Sequence, residues 1–111
     1  MPLQDIFDSL RLELRRGSLT LAVLAHLRRE HYGYTLRKAL LDHGLDIDEG
    51  TLYPLLRRLE SQGLLLSEWR EENNRNKRFY RLAPDGKRIL KQLMDEWQRL
   101  NASLDRILPE A

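Results

Sequence analysis

The amino-acid sequence predicts a mainly α-helical fold with one small β-hairpin. Three observations lead to this prediction. Up to Gly63, apolar residues recur three and four positions apart, which is the spacing of a helix face. Between residues 64 and 82 two short strand-like runs replace that pattern, and from Pro84 a long helix follows with a regular apolar seam. The hydrophobic share of 41% and the charged share of 32% are typical of an ordered chain.

The first segment, residues 3 to 15, places its large apolar residues on one helical face. These residues are Leu3, Ile6, Phe7, Leu10 and Leu14. Gly17 is expected to break this helix, and Ser18 is a suitable N-cap for a second one. The second segment, "SLTLAVLAHLRREH", is short and apolar, and we expect most of it to be buried.

Two further helices follow, separated by a turn. Thr35 is expected to cap a helix over residues 35 to 43, which Gly44 ends. The next helix, over residues 49 to 62, ends at Gly63. Pro54 favours an N-cap near Gly50 or Thr51, because proline is harmless only in the first helical turn and Asp48 as the cap would leave it too deep. The apolar face of this helix consists of Leu52, Leu55, Leu56 and Leu59.

The runs "LLLSEWR" and "KRFYRLA" then predict a hairpin over residues 64 to 82, joined by the Asn-rich connector "EENNRN". Of Phe79 and Tyr80, one is expected to pack into the core. Trp69 is expected to pack across the strands. Two helices separated by a turn and followed by a hairpin give the order of a winged helix-turn-helix, so residues 1–83 are predicted to form this domain together with the N-terminal helix.

Residues 84–111 are predicted to form a C-terminal dimerisation helix. Its apolar residues are spaced 3, 4, 3, 4 and 3 apart, which is a heptad seam; they are Leu90, Leu93, Trp97, Leu100, Leu104 and Ile107. In the N-terminal helix, Phe7, Leu10 and Leu14 repeat the pattern. The simplest arrangement pairs the N- and C-terminal helices of two subunits about a two-fold axis, which makes the protein a homodimer. Trp97, in the middle of the seam, either packs in the dimer or also contacts a flat ligand between the subunits.

The composition excludes several classes of protein. A chain of 111 residues forms one domain, and the absence of cysteine excludes disulfides and thiolate metal sites. No run approaches the roughly 18 apolar residues of a membrane span, and the N-terminal segment lacks the apolar core of a signal peptide. We therefore expect a cytoplasmic protein without a membrane partner.

The sequence shows no catalytic or cofactor motif. It has no glycine-rich phosphate loop, no nucleophile elbow and no paired-carboxylate cleft. The three histidines, His26, His31 and His43, do not have the spacing of a metal site with carboxylates or cysteines. We therefore predict no enzyme activity, no cofactor and no metal. The net charge of +2 and the pI of about 9.1 indicate nucleic acid only weakly.

Three stretches of the sequence, "YGYTLRKAL", "DEGTLYPLLRRLESQGLL" and "KRFYRLAPDGKRIL", resemble the PadR family of bacterial transcriptional regulators. The resemblance covers roughly residues 16 to 91, and the flanking helices match the compact members with a single C-terminal helix. It implies a dimeric winged-helix repressor that binds an inverted repeat in double-stranded DNA. Many relatives respond to small aromatic or amphiphilic compounds, so the resemblance also implies that a small aromatic ligand could release the DNA.

The outward face of the helix after the turn is expected to contact the major groove, and the hairpin the DNA backbone or a narrow minor groove. In the hairpin we favour Lys77 and Arg78 over Arg75, because acidic residues lie at the same tip. The expected DNA-contacting residues are Tyr34, Gly50, Thr51, Tyr53, Arg57, Lys77 and Arg78.

Alternatives stay open for several of these residues. Tyr53 could pack on the protein, and Arg57 could be a plain surface residue or form a salt bridge, for example with Glu60 or Glu71. Arg58 is more often a plain surface residue. The rival hypothesis for the whole chain is a winged-helix module for protein–protein contact without DNA binding. That hypothesis predicts that Arg57, Lys77 and Arg78 are held in intramolecular salt bridges.

Overall fold

The computed structural model describes residues 2–108, so the last three residues of the predicted C-terminal segment lie outside this range. Within it, the chain forms four helices and a three-stranded antiparallel sheet, which confirms the predicted fold class. No helix in residues 2–108 is both long and apolar enough to cross a bilayer. The elements in chain order are α1 (Leu3–His26), β1 (His31–Tyr32), α2 (Gly33–Asp42), α3 (Glu49–Ser61), β2 (Leu65–Glu72), β3 (Arg75–Leu82) and α4 (Pro84–Ile107).

Helix α1 runs without a break from Leu3 to His26, so the predicted break at Gly17 and cap at Ser18 were wrong. The Ser18 hydroxyl donates a hydrogen bond to the Arg15 carbonyl at 2.9 Å within the helix instead of capping a new one. A glycine inside a helix costs only about 1 kcal/mol relative to alanine. Burial of Val23 and Leu24 in the core therefore outweighs it.

The core lies where α1, α2, α3 and the sheet meet. The predicted leucine face of α3 is buried, with Leu52 and Leu56 fully enclosed. Both predicted glycine terminators are confirmed, because Gly44 and Gly63 follow the C-cap residues of α2 and α3 with left-handed φ angles of +86° and +81°. The remaining core residues are Val23, Leu24, Leu27, Leu36, Leu40, Ile47, Leu55, Leu59, Leu65, Tyr80, Leu82 and Leu90.

Helix α2 begins earlier than its predicted cap. It starts at Gly33, so the prediction of Thr35 as N-cap was wrong. The Thr35 side chain instead reaches back one turn: its hydroxyl oxygen accepts from the Tyr32 amide at 3.2 Å, and the hydroxyl donates to the Tyr32 carbonyl at 3.1 Å. Thr35 therefore stabilises the first turn from inside it and joins α2 to β1.

Helix α3 begins at Glu49, as its predicted range has it, but its N-cap residue is Asp48, so the prediction of Gly50 or Thr51 as the cap was wrong. The Asp48 carbonyl accepts the first helical bond, from the Leu52 amide at 3.0 Å. Pro54 consequently lies inside the helix and removes the bond that the Gly50 carbonyl would accept. Both Gly50 and Pro54 are exposed, so water can satisfy that carbonyl.

The sheet has the order β1-β3-β2, and the sequence did not reveal the two-residue strand β1. It pairs His31 with Tyr80 and Tyr32 with Phe79. The hairpin between β2 and β3 turns at Asn73 and Asn74, both with positive φ, as a two-residue hairpin turn requires.

The aromatic residues of the hairpin divide between its two faces. Tyr80 packs into the core as expected for one of the pair. Phe79 is buried on the other face, under Tyr32 and the Arg70 guanidinium. Trp69 lies opposite Arg78 across the strands, but its ring is 64% exposed, so the expected packing against the hairpin is slight.

The three histidines form a cluster at the junction of α1, β1 and α2. The His26 ring centroid lies 5.1 Å from that of His43 and 6.3 Å from that of His31. Burial lowers the pKa of His26, and the neighbouring His43, His31 and Arg28 lower it further. Burial and Arg29 likewise lower the pKa of His31. Although the three rings are close, no three histidine, aspartate or glutamate side chains within residues 2–108 are arranged so that they could hold a metal ion.

This cluster should make folding stability depend on pH. Because the folded pKa of His26 lies below its unfolded value of 6.5, its contribution is fully present above that pH and is lost as pH falls through the folded pKa. We expect His26→Gln to lose less stability than the wild type between about pH 7 and pH 5. Urea midpoints at both pH values measure this, and equal losses in the two proteins would contradict it.

Candidate nucleic-acid interface

One cleft of about 500 Å³ lies between α3, the start of α2 and the hairpin. Four cationic side chains and four tyrosines line it, so it combines positive charge with aromatic surface. This combination is typical of surfaces that bind the phosphates and bases of nucleic acids. The lining residues are Tyr32, Tyr34, Tyr53, Arg57, Trp69, Arg75, Asn76, Lys77, Arg78 and Tyr80.

Five of the seven residues predicted to contact DNA line this cleft, namely Tyr34, Tyr53, Arg57, Lys77 and Arg78. The other two, Gly50 and Thr51, are exposed in the first turn of α3 and do not line it. The sequence pattern did not single out the contribution of Tyr32 and Tyr80. Their place in the cleft follows from the pairing of β1 with β3, which no local pattern indicates.

Arg57, like Arg75, is a cation of the cleft that forms no ion pair within residues 2–108. It lies on the outward face of α3, opposite the buried leucines, and its side chain is exposed. Neither Glu60 nor Glu71 forms an ion pair with it, and it has no other ion pair among residues 2–108. Its guanidinium is therefore available to a partner outside the protomer.

Tyr53 was expected either to contact DNA or to pack on the protein. Its half-buried ring packs on the protein and also borders the cleft. The ring lies against Gly33 at the start of α2. A Cβ atom on Gly33 would come within 2.7 Å of the Tyr53 Cε1 atom, so only glycine leaves room for this ring. Gly33 thereby fixes where Tyr53 borders the cleft.

Lys77 and Tyr34 lie near Tyr32. The Lys77 ammonium lies 4.5 Å from the Tyr32 ring centroid and 3.5 Å from the Glu72 carboxylate. The Tyr34 ring is 63% exposed, with its centroid 6.4 Å from that of Tyr32. Lys77 is thus partly engaged within the protomer, whereas Tyr34 faces solvent.

Arg78 is engaged more completely. Its guanidinium pairs with Glu60 of α3 at 2.7 Å and donates to the Ser67 hydroxyl of β2 at 3.0 Å. The rival hypothesis, a protein-contact module, predicted all three cations in salt bridges. Lys77 and Arg78 meet that condition, and Arg57 does not.

The predicted dimer seam is mostly uncovered in the protomer. Leu90 is the exception, because it is buried in the protomer's own core and cannot contribute to an interface. The others are between 36% and 77% exposed: Phe7, Leu10, Leu14, Leu93, Trp97, Leu100, Leu104 and Ile107. Exposed apolar residues in this number are typical of surfaces that a partner or a ligand covers.

Comparison with known proteins agrees with the fold. The family described as "Transcriptional regulator PadR-like family" matches residues 21–92. The transcriptional regulator Rv3488 of Mycobacterium tuberculosis is 42% identical over 79 residues, covering 70% of this chain and 74% of that protein. A PadR family transcriptional regulator from Eggerthella lenta superposes with a TM-score of 0.89 at 45% identity, covering 98% and 97% of the two chains. The chain therefore belongs to the PadR-like family of transcriptional regulators, which bind DNA and are not enzymes.

Proposed function

We propose that the protein is a dimeric repressor that binds an inverted-repeat operator and is released from it by a small aromatic ligand. The observation that supports this most directly is the exposed, unpaired Arg57 on the outward face of α3, beside a basic and aromatic cleft. Because Arg57 has no carboxylate partner among residues 2–108, its guanidinium can pair with a guanine or a phosphate without first breaking an ion pair.

In this proposal α3 is the recognition helix and enters the major groove. Arg57 then pairs with the O6 and N7 atoms of guanine, or neutralises a phosphate. Gly50 lets the first turn of α3 approach the duplex closely, and the Thr51 hydroxyl contacts a phosphate. Glu49, at the same end of the helix, is held by Arg37 at 2.9 Å, which reduces its repulsion of the DNA.

The residues around the cleft hold the DNA backbone. The hydroxyl groups of Tyr34 and Tyr53 donate to phosphate oxygens, and Lys77 supplies a positive charge from the hairpin. These contacts carry no sequence information themselves, but they fix the angle at which α3 lies in the groove.

A homodimer formed through α1 and α4 provides the symmetry for an inverted repeat. Two recognition helices related by a two-fold axis and set about 34 Å apart contact successive major grooves on one side of the duplex. The exposed seam of α4, together with Phe7, Leu10 and Leu14 of α1, supplies the apolar surface that such a dimer must bury.

Ligand release is the last part of the proposal, and Trp97 is the candidate contact. Trp97 lines a cavity of about 310 Å³ between α1 and α4, with Leu21, Ala22 and Met94 as apolar neighbours. A flat aromatic molecule there would stack on the indole and alter how α1 and α4 pack. Because α4 also sets the separation of the two recognition helices, ligand binding would weaken operator binding.

The test uses Arg57→Ala and a matched control, Arg58→Ala. Arg58 is the next residue of α3 and is also exposed, but it does not line the cleft. The probe is a duplex that the wild-type protein selects from a random-sequence pool, compared with a scrambled duplex across a range of salt. We expect Arg57→Ala to bind the selected duplex roughly 10- to 100-fold more weakly, and Arg58→Ala to bind it like the wild type.

The salt titration separates this proposal from its rival. For a DNA-binding protein the logarithm of affinity falls linearly with the logarithm of salt concentration, with a slope of about 0.9 per phosphate contact. Weak binding without preference for any duplex, and without this slope, would favour the protein-contact module.

A further inference from the structure

We propose that Arg78 does not contact DNA but positions the hairpin, or wing, against the recognition helix through a latch formed by Glu60, Ser67 and Arg78. This inference rests on the proposed DNA-binding function and assigns a different task to one of its cations. It divides the basic cleft into a residue that reads DNA, Arg57, and a residue that holds the wing, Arg78.

The latch joins three elements through one carboxylate. The Arg78 Nη2 atom of β3 donates to Glu60 Oε1 of α3 at 2.7 Å, and Arg78 Nε donates to the Ser67 hydroxyl of β2 at 3.0 Å. The Ser67 hydroxyl in turn donates to the other oxygen of Glu60. Both carboxylate oxygens are therefore hydrogen-bonded, and the guanidinium is held at two of its nitrogens.

Two aromatic rings hold the guanidinium in place. The Arg78 Cζ atom lies 5.6 Å from the Trp69 ring centroid and 5.4 Å from that of Tyr80. Trp69 is the cross-strand partner of Arg78, and Tyr80 is two residues further along β3, so both rings project from the same face of the hairpin. The orientation of the Arg78 guanidinium is thus fixed by these rings as well as by its hydrogen bonds.

Burial decides between holding the wing and binding a phosphate. The side chains of Arg78 and Glu60 are 34% and 26% exposed. If Arg78 turned to a phosphate, the Glu60 carboxylate would lose its cation and stay partly buried beside the negative duplex, which is unfavourable. Arg57 has no carboxylate to abandon and incurs no such penalty when it binds DNA.

The hairpin extends well beyond the latch toward its turn. The turn residue Asn74 lies four residues before Arg78, which corresponds to about 13 Å along an extended strand. A small rotation of the hairpin at the latch would therefore displace its tip by several times the movement at Arg78. The ion pair sets where the tip meets the DNA backbone.

Glu60→Gln tests the inference because the two roles of Arg78 predict opposite signs. If Arg78 bound a phosphate, removing the competing carboxylate would free it and strengthen DNA binding. If Arg78 holds the wing, Glu60→Gln loses the ion pair, and we expect affinity for the selected duplex to fall about 3- to 10-fold. Arg78→Gln should have a similar effect, and the double variant should be little worse than either single one.

A control for charge and a spectroscopic measurement accompany this comparison of the two single variants with the double variant. Glu71→Gln removes an equal charge from the exposed end of β2 and should leave binding unchanged or slightly stronger. In a Trp97→Phe background Trp69 is the remaining tryptophan, since the chain has two. We expect Glu60→Gln to lower the fluorescence anisotropy of Trp69, which a loss of global stability alone would not change below the unfolding transition.

The outcomes separate the inference from the function on which it rests. Weaker duplex binding by Glu60→Gln with lower Trp69 anisotropy supports the latch. Tighter binding by Glu60→Gln, with the wild type still preferring its selected duplex, overturns the latch and leaves the proposed function intact. A wild-type protein that prefers no duplex overturns both.

Discussion

Gly86→Ala is expected to lower the free energy of unfolding by roughly 1–3 kcal/mol, although alanine is the better helix former. Gly86 is buried in the first turn of α4, where the helix passes directly over the chain that leaves α3. A Cβ atom there would collide with the Leu64 carbonyl oxygen and lie 3.1 Å from its carbon. That carbonyl also accepts the Ala83 amide at 2.9 Å, so the backbone cannot shift without breaking this bond.

Gly17→Ala is the matched control, because it makes the same change in a helix where no atom lies within 4 Å of the new methyl group. Within a single subunit the higher helix propensity of alanine acts alone, and the stability of that subunit should rise by about 0.5–1 kcal/mol. Urea denaturation followed by circular dichroism measures both variants against the wild type. If Gly86→Ala were as stable as Gly17→Ala, α4 could not approach Leu64 as closely as described.

The glycines of this chain show how far local sequence patterns predict the fold. Gly44 and Gly63 were correctly predicted as helix terminators, because apolar periodicity stops at each of them. Gly17 was wrongly predicted as one, although its residue type is the same. The difference lies in the next two turns of α1, where Val23 and Leu24 extend the helix into the core, and that long-range packing outweighs a local preference.

Pro54 also shows that a local sequence pattern does not fix where a helix begins. Its chemistry correctly excludes a hydrogen bond to Gly50, but it does not fix the start of α3. The cost of a proline inside a helix, about 3 kcal/mol, can be outweighed by packing. Four buried leucines on the opposite face of α3 supply that packing. The start at Asp48 depends on where this face meets the core, which periodicity alone does not give.

In the candidate site, the sequence identified the cations but could not assign them different environments. Arg57 and Arg78 are both arginines near the same cleft, yet one is unpaired and the other is latched to Glu60. The difference depends on the hairpin register, in which Arg78 lies opposite Trp69 and beside Ser67. The pairing of β1 with β3 could not be predicted from the sequence either, because β1 is only two residues long and β3 is distant from it along the chain.

Leu100→Asp is expected to convert the proposed dimer into monomers and to weaken operator binding by roughly 100- to 10,000-fold. Leu100 lies in the exposed seam of α4, with 51% of its side chain accessible in the protomer, so the fold itself does not depend on it. In a dimer the aspartate would be buried against apolar side chains without a partner, which opposes association strongly. Each monomer then binds a half-site alone, and the gain from linking two sites is lost.

Ala102→Asp distinguishes loss of the seam from mere addition of charge. Ala102 is exposed, and it lies two residues after Leu100, which places it on nearly the opposite side of the helix. We expect this variant to sediment as a dimer and to bind the selected duplex like the wild type. Leu100→Asp should sediment as a monomer that keeps the helical circular dichroism of the wild type, with a lower urea midpoint because association no longer stabilises the fold. A Leu100→Asp protein that stayed dimeric would move the interface away from α4. A monomer that kept full operator affinity would instead show that one recognition helix is sufficient, and the inverted-repeat part of the proposal would then be wrong.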